Sequence, residues 1–278
     1  MTKSTRIFLD SPNPDETQEV LLKVGSLDGQ TTNPSYLAQS PKTKERLNTK
    51  GKFSVDELLE FYKKTVQDIS KQIPGKSVSI EVYADKDVTA DRMLEQAREM
   101  NSWISSAHIK LPMIPEGLKA AELAVKESIR VNMTLVFSQV QAAAAYSATR
   151  GAKKGDVLLS PFISRLDKLG LNGLDLIKNI LRMYQAGDGH VEVLASSIHS
   201  TDVMRRLVEM GVDFMTVPSD SLLDYKDQKF DKHDMGNLDQ IVFEKYDLNA
   251  DWHTFNIQHD LTDQGLEKFA KDWNDLLN

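Results

Sequence analysis

Eight short runs of β-branched and apolar residues recur along the chain, most of them followed by a stretch with helical spacing. That alternation restricts the fold more than any other feature. The runs fall at residues 6–10, 29–32, 78–83, 108–111, 131–136, 157–160, 191–196 and 214–217. Strands that alternate with helices pair in parallel through right-handed crossovers. Eight is the number that closes a (β/α)8 barrel, which typically needs about 250 residues, and this chain has 278. The expected architecture is therefore α/β, a TIM barrel with an additional C-terminal segment and helix. The barrel is expected over residues 1–225. Residues 226–278 are expected to form an irregular polar stretch and then a helix, packed on the barrel or on a neighbouring subunit. Leu266, Phe269, Trp273 and Leu276 give that helix one apolar face, with Thr262 as its expected cap. Ser54 and Glu57 form a capping box for a helix whose buried face would carry Leu58, Tyr62, Val66 and Ile69.

Composition narrows the function. The chain has no cysteine, which removes disulfides, thiolate catalysis and cysteine-ligated metals. A net charge of −7 argues against a nucleic-acid partner, which needs a basic face. No apolar run approaches the roughly 18 residues of a membrane span, and residues 1–6 lead into a strand without the apolar core of a secretory signal. The cytoplasm is the expected location. Residues 247–251 faintly resemble a calcium loop, but Trp252 stands where its glycine is needed. His233 with Asp234, and His253 with His259, lack a compact ligand spacing. No metal and no cofactor are expected.

In barrels of this kind the chemistry sits where strands end. The ends carry Asp10, Thr32 with Asn33, Glu81, Lys110, Asn132 with Thr134, Ser160 with Arg165, and Ser197. Lys110 is the least expected of these, inside the apolar run that stops at Pro112. Lysine is seldom buried. An ammonium deprived of water gives way to the free amine, which attacks carbonyls to form Schiff bases; the alternative is a lysine at the mouth of the barrel whose ammonium stays in water.

These ends sit in recognisable segments. They include Asp28-Gly29-Gln30-Thr31-Thr32-Asn33-Pro34-Ser35, Ile109-Lys110-Leu111-Pro112 and Ser160-Pro161-Phe162-Ile163-Ser164-Arg165. In order, and together with Phe8-Leu9-Asp10-Ser11 and Asn132-Met133-Thr134, they make the chain resemble the transaldolases and the smaller fructose-6-phosphate aldolase-like members of the same group. The resemblance implies a (β/α)8 barrel with a Schiff-base lysine at Lys110. It implies transfer of a dihydroxyacetone unit from sedoheptulose 7-phosphate or fructose 6-phosphate to glyceraldehyde 3-phosphate or erythrose 4-phosphate, in the non-oxidative pentose phosphate pathway. Asp10 and Glu81 would move protons, Glu81 through a water held by Thr134. Thr32, Asn33 and Asn132 would bind the three-carbon unit. Ser160, Arg165 and Ser197 would hold hydroxyl or phosphate oxygens. His199 departs from the pattern, standing where a second arginine or lysine is common. Glu81, Asn132 and Phe162 match the transferases rather than the aldolases that release free dihydroxyacetone. A homo-oligomer is also expected. The alternatives carried forward are such an aldolase and a non-catalytic sugar-phosphate-binding barrel.

Overall fold

The computed structural model describes residues 4–233 and 236–278. Its strands are β1 Arg6–Asp10, β2 Gly29–Thr31, β3 Ser77–Glu81, β4 Ala107–Pro112, β5 Val131–Val136, β6 Val157–Pro161, β7 Val191–Ala195 and β8 Phe214–Val217. They form a closed barrel in chain order, every pairing parallel, with β8 returning to β1. The expected fold is the observed one, strand ends differing by a residue or two. Among the described residues no helix is long and apolar enough to cross a membrane.

Each strand divides its residues between two environments, as period-two geometry requires. Leu9, Val78, Ile80, Ile109, Leu111, Val131 and Met133 join the large core shared with the surrounding helices. The alternate set faces inward. Phe8, Leu158, Leu194 and Phe214 form a separate apolar plug inside the barrel, with Phe8 edge-on to Phe214 at 5.0 Å. The inward residues nearer the C-terminal rim are polar, and the site is built from them. Gly29 is part of this arrangement, because a Cβ there would stand 2.5 Å from Cζ of Phe8. Gly29→Ala is expected to lower stability by roughly 2–3 kcal/mol through overpacking. Thermal unfolding checks this, and an unchanged Tm would show that the plug yields freely.

Local signals explain most helices. Ser54 and Glu57 do form the capping box of helix Val55–Gln72. Helices Pro34–Gln39 and Pro41–Lys50 lack a strong apolar period. Their sequence signal is a side-chain cap, Asn33 or Ser40, followed at once by proline.

Beyond helix Ser219–Lys226 the described residues form little regular structure until Trp252. It is held by side chains that satisfy its backbone. Gln139 donates to the Val242 carbonyl at 2.8 Å and accepts from the Glu244 N–H at 3.0 Å. Asn179 donates to the Ile241 carbonyl at 2.8 Å, and Arg150 to that of Asn249 at 3.0 Å. Asp247 accepts from the backbone of Asn249, a local turn. Asp234 lies outside the described residues; His233 stands 3.2 Å from Asp167.

The last helix is Asp260–Asn274, and its cap differs from expectation. His259 is the N-cap, accepting from the Leu261 N–H at 3.2 Å. Thr262 instead ties the helix to the barrel. Its hydroxyl donates to the Leu135 carbonyl at 2.9 Å and accepts from Gln141 at 2.9 Å. That carbonyl is available because β5 is irregular between Met133 and Val136, with Leu135 at φ +60°. Farther along, Trp273 packs edge-on against Tyr62 at 5.9 Å.

Candidate active site

The C-terminal rim of the barrel and helix Asp260–Asn274 enclose a cavity of about 200 Å³. Asp10, Asn33, Lys110 and Ser160 line its inner part, and Phe162, Arg165, Ser197 and His199 also line it. Strand register accounts for part of this convergence. Glu81 is level with Lys110 across β3–β4, and Lys110 with Asn132 across β4–β5.

Lys110 is only 6% exposed at its side chain. Its Nζ lies 3.0 Å from Glu81 Oε2 and donates to the Thr32 carbonyl at 3.2 Å. Burial pushes the Glu81 carboxyl above its ordinary range, against the opposing pull of the Lys110 ammonium; the Asp10 charge pushes the same way as burial. Asp10 is raised too, by burial first, with Lys110 and the Thr31 hydroxyl opposing. Thr31 donates to Asp10 Oδ1 at 2.8 Å and meets the Thr216 hydroxyl at 2.6 Å, which fixes the carboxylate's orientation. Two carboxyls therefore flank a buried amine, both inclined to hold protons more readily than free acids.

Four residues singled out from sequence stand behind the cavity wall. Glu81 reaches it only through Lys110. The amide of Asn132 is engaged at both ends, accepting from Ser160 at 2.7 Å and donating to Ser79 at 3.1 Å. Its role in this geometry is to orient Ser160. The Thr32 side chain meets the Tyr62 hydroxyl and donates to the Ser79 carbonyl at 2.8 Å, so Thr32 presents its carbonyl, not its hydroxyl, to Lys110. The Thr134 hydroxyl is buried with no protein partner, and buried hydroxyls are normally hydrogen-bonded. A cavity of about 10 Å³ lined by Glu81 and Pro112 lies under Leu266 and Phe269, the size of a single water site. Pro112 is level with Thr134 on the neighbouring strand.

The outer part of the cavity is cationic. Burial lowers the Arg165 pKa, and Arg165 forms no ion pair among the described residues. Lys168 lines the same wall. The Ser164 and Ser197 hydroxyls meet at 2.6 Å, with Ser197 held in a left-handed conformation, φ +58°. His199 is pushed toward the neutral imidazole by burial, against the Asp10 charge and with that of Lys168. Arg205 lies elsewhere, paired with Asp202 at 2.7 Å on helix Thr201–Met210.

Several lining residues were not legible as site residues. Tyr36 projects from helix Pro34–Gln39, its hydroxyl pushed up to about 12 by burial and by the charges of Asp10 and Glu16. Lys268 and Phe269 arrive from the C-terminal helix. No local spacing marks them, because the contact spans more than a hundred residues.

Known proteins resemble this chain over nearly its whole length. Residues 7–278 match the family described as Transaldolase/Fructose-6-phosphate aldolase. A "Probable transaldolase" of Methanococcus maripaludis (strain C6 / ATCC BAA-1332) is 32% identical over 268 residues, covering 96% of this chain and 97% of that protein. One from Bdellovibrio bacteriovorus is 29% identical over 269 residues, covering 97% of each. One from Lactiplantibacillus plantarum is 30% identical over 268 residues, covering 96% of each.

Proposed function

The chain belongs to the transaldolase/fructose-6-phosphate aldolase family, and from that premise we propose that it is a transaldolase. Its reaction would carry a dihydroxyacetone unit from sedoheptulose 7-phosphate or fructose 6-phosphate to glyceraldehyde 3-phosphate or erythrose 4-phosphate. Those substrates would put it in the non-oxidative pentose phosphate pathway, in the cytoplasm. The observation that carries the proposal is a buried Lys110 beside Glu81 in a cavity that also holds Asp10.

Each step has a residue within reach. Glu81 takes a proton from the Lys110 ammonium, and the free amine adds to the ketone carbon. The resulting carbinolamine loses its oxygen as water, with Glu81 returning a proton through a water that we assign to the Thr134 side of the site. The iminium so formed is the electron sink. Asp10 removes the C4 hydroxyl proton, the C3–C4 bond breaks, and its electrons move into the iminium to give an enamine on Lys110. The first aldose departs. A second aldehyde accepts the enamine carbon, Asp10 returns its proton to the new hydroxyl, and hydrolysis frees Lys110. Asn33 and Ser160, the latter oriented by Asn132, would hold hydroxyls of the three-carbon unit. Arg165 and Lys168 would face the substrate phosphate, for which a guanidinium offers a planar fork of donors.

Transfer rather than release depends on the enamine escaping protonation. Phe162 lines the cavity and packs edge-on against Phe137 at 5.5 Å. It offers no hydroxyl to order a water at the enamine carbon. Incubation with fructose 6-phosphate alone is expected to release little free dihydroxyacetone, and added erythrose 4-phosphate should start turnover. Rapid release without acceptor would establish the aldolase alternative. Phe162→Tyr is expected to raise acceptor-independent release by about 10²-fold, the low end of a general acid–base contribution.

A further inference from the structure

We propose that Lys268, on the C-terminal helix, supplies a further cation for the substrate phosphate beside Arg165 and Lys168, so that a segment outside the barrel completes the anion-binding end of the site. The inference rests on the sugar-phosphate reading above and deepens it.

A phosphate monoester carries close to two negative charges near neutral pH. Arg165 is its natural bidentate partner, while His199 is inclined to the neutral form by burial. Helix Asp260–Asn274 lies directly against that guanidinium. A Cβ on Gly265 would stand 3.1 Å from Arg165 Nη1 and 2.6 Å from Leu135 Cδ2, so glycine permits a close approach here. Residues three and four positions on lie on the same helical face, one turn away. Those residues are Lys268 and Phe269, and both line the cavity. The helix is held in place at either end of this face, by Thr262 on the Leu135 carbonyl and by Trp273 on Tyr62. Lys268 is itself steadied. Its Nζ donates to Asp272 Oδ2 at 2.7 Å, and that carboxylate also accepts from Ser35, another lining residue. One donor is thus engaged and two of the ammonium's three stay open to an anion.

Lys271 provides an internal control. It makes the same i,i+4 pair, with Asp275, but does not line the cavity. The test measures inorganic phosphate as a competitive inhibitor, and KM for fructose 6-phosphate, in the full-length chain. Lys268→Met is expected to raise both constants by about tenfold, the size of one charge-assisted contact. Lys268→Arg should restore them to within about threefold, and Lys271→Met should leave them unchanged. The inference is overturned if Lys268→Met leaves phosphate inhibition unchanged. It is equally overturned if Lys271→Met weakens inhibition as much, because the effect would then be distant charge alone. A borohydride trap run in parallel separates the two levels. An adduct on Lys110 with unchanged phosphate inhibition in Lys268→Met sinks only the Lys268 assignment. Absence of the adduct in the unsubstituted enzyme sinks the Schiff-base reading and this inference with it.

Discussion

Lys110→Met is expected to lower transfer activity by at least about three orders of magnitude, because the reaction loses its nucleophile and its electron sink together. Its immediate partners offer no second amine: it meets the Glu81 carboxylate at 3.0 Å and the Thr32 carbonyl at 3.2 Å, and Asp10 lines the same cavity. Borohydride reduction in the presence of fructose 6-phosphate should give a covalent adduct on Lys110 in the unsubstituted enzyme and none in the variant. An enzyme that turns over without a trappable adduct would refute the mechanism, and absence of both turnover and adduct would favour the non-catalytic sugar-phosphate-binding barrel. The substitution also tests the buried pair. Breaking a buried ion pair commonly costs about 3–5 kcal/mol, because one charge is left unpaired. Glu81 has an escape, since burial already favours its neutral acid. The variant is therefore expected to remain folded, with a loss of stability below that range.

Asp10→Asn is expected to reduce transfer by about 10²- to 10⁴-fold, the usual contribution of a general base, while keeping the trappable adduct. That division follows from the geometry. Lys110 and Glu81 can form the iminium by themselves, whereas the C4 hydroxyl proton needs the Asp10 carboxylate. An amide preserves the acceptor oxygen for Thr31 but takes no proton. Loss of the adduct in Asp10→Asn would show that Asp10 acts earlier, in imine formation. The pH profile adds an independent reading. Burial raises the Asp10 carboxyl above its ordinary range, more than Lys110 lowers it. The base works only when deprotonated, so kcat/KM should fall as pH drops through that raised value. The acid limb should therefore appear at higher pH than for a free aspartate. Asp10→Asn should lose the part of the limb due to this group. An identical limb in the variant would assign it to Glu81, whose carboxyl is also raised by burial.

The barrel was legible because its signals are local. Apolar runs of strand length, caps such as Ser54 with Glu57, and prolines after Asn33 and Ser40 each act over a few residues. The motif residues at the strand ends were legible in the same way. Lys110, Asp10 and Asn33 reach one cavity because parallel strands deliver all their ends to one rim. What each polar atom is left free to do was not legible. Thr32 follows β2 and Asn132 lies within β5, each with a hydrogen-bonding side chain, but Tyr62 and Ser79 occupy the hydroxyl of the first, and Ser79 and Ser160 engage the amide of the second. Such competition depends on partners dozens of residues away. The cap at His259 rather than Thr262 has the same origin, since a carbonyl exposed by the irregularity at Leu135 draws Thr262 to the barrel.

By itself, then, the sequence determined the strand count, the closure they permit, and the residue types delivered to the rim. These follow from backbone periodicity and capping, which are near-neighbour effects. Only the tertiary structure decided that the last helix lies over its own barrel mouth, that Gly265 lets it approach Arg165, and that Lys268 and Phe269 join the cavity. A contact between residues more than a hundred positions apart leaves no periodic trace in either segment. It exists because an apolar helix face and an open barrel end each lower their free energy by covering the other.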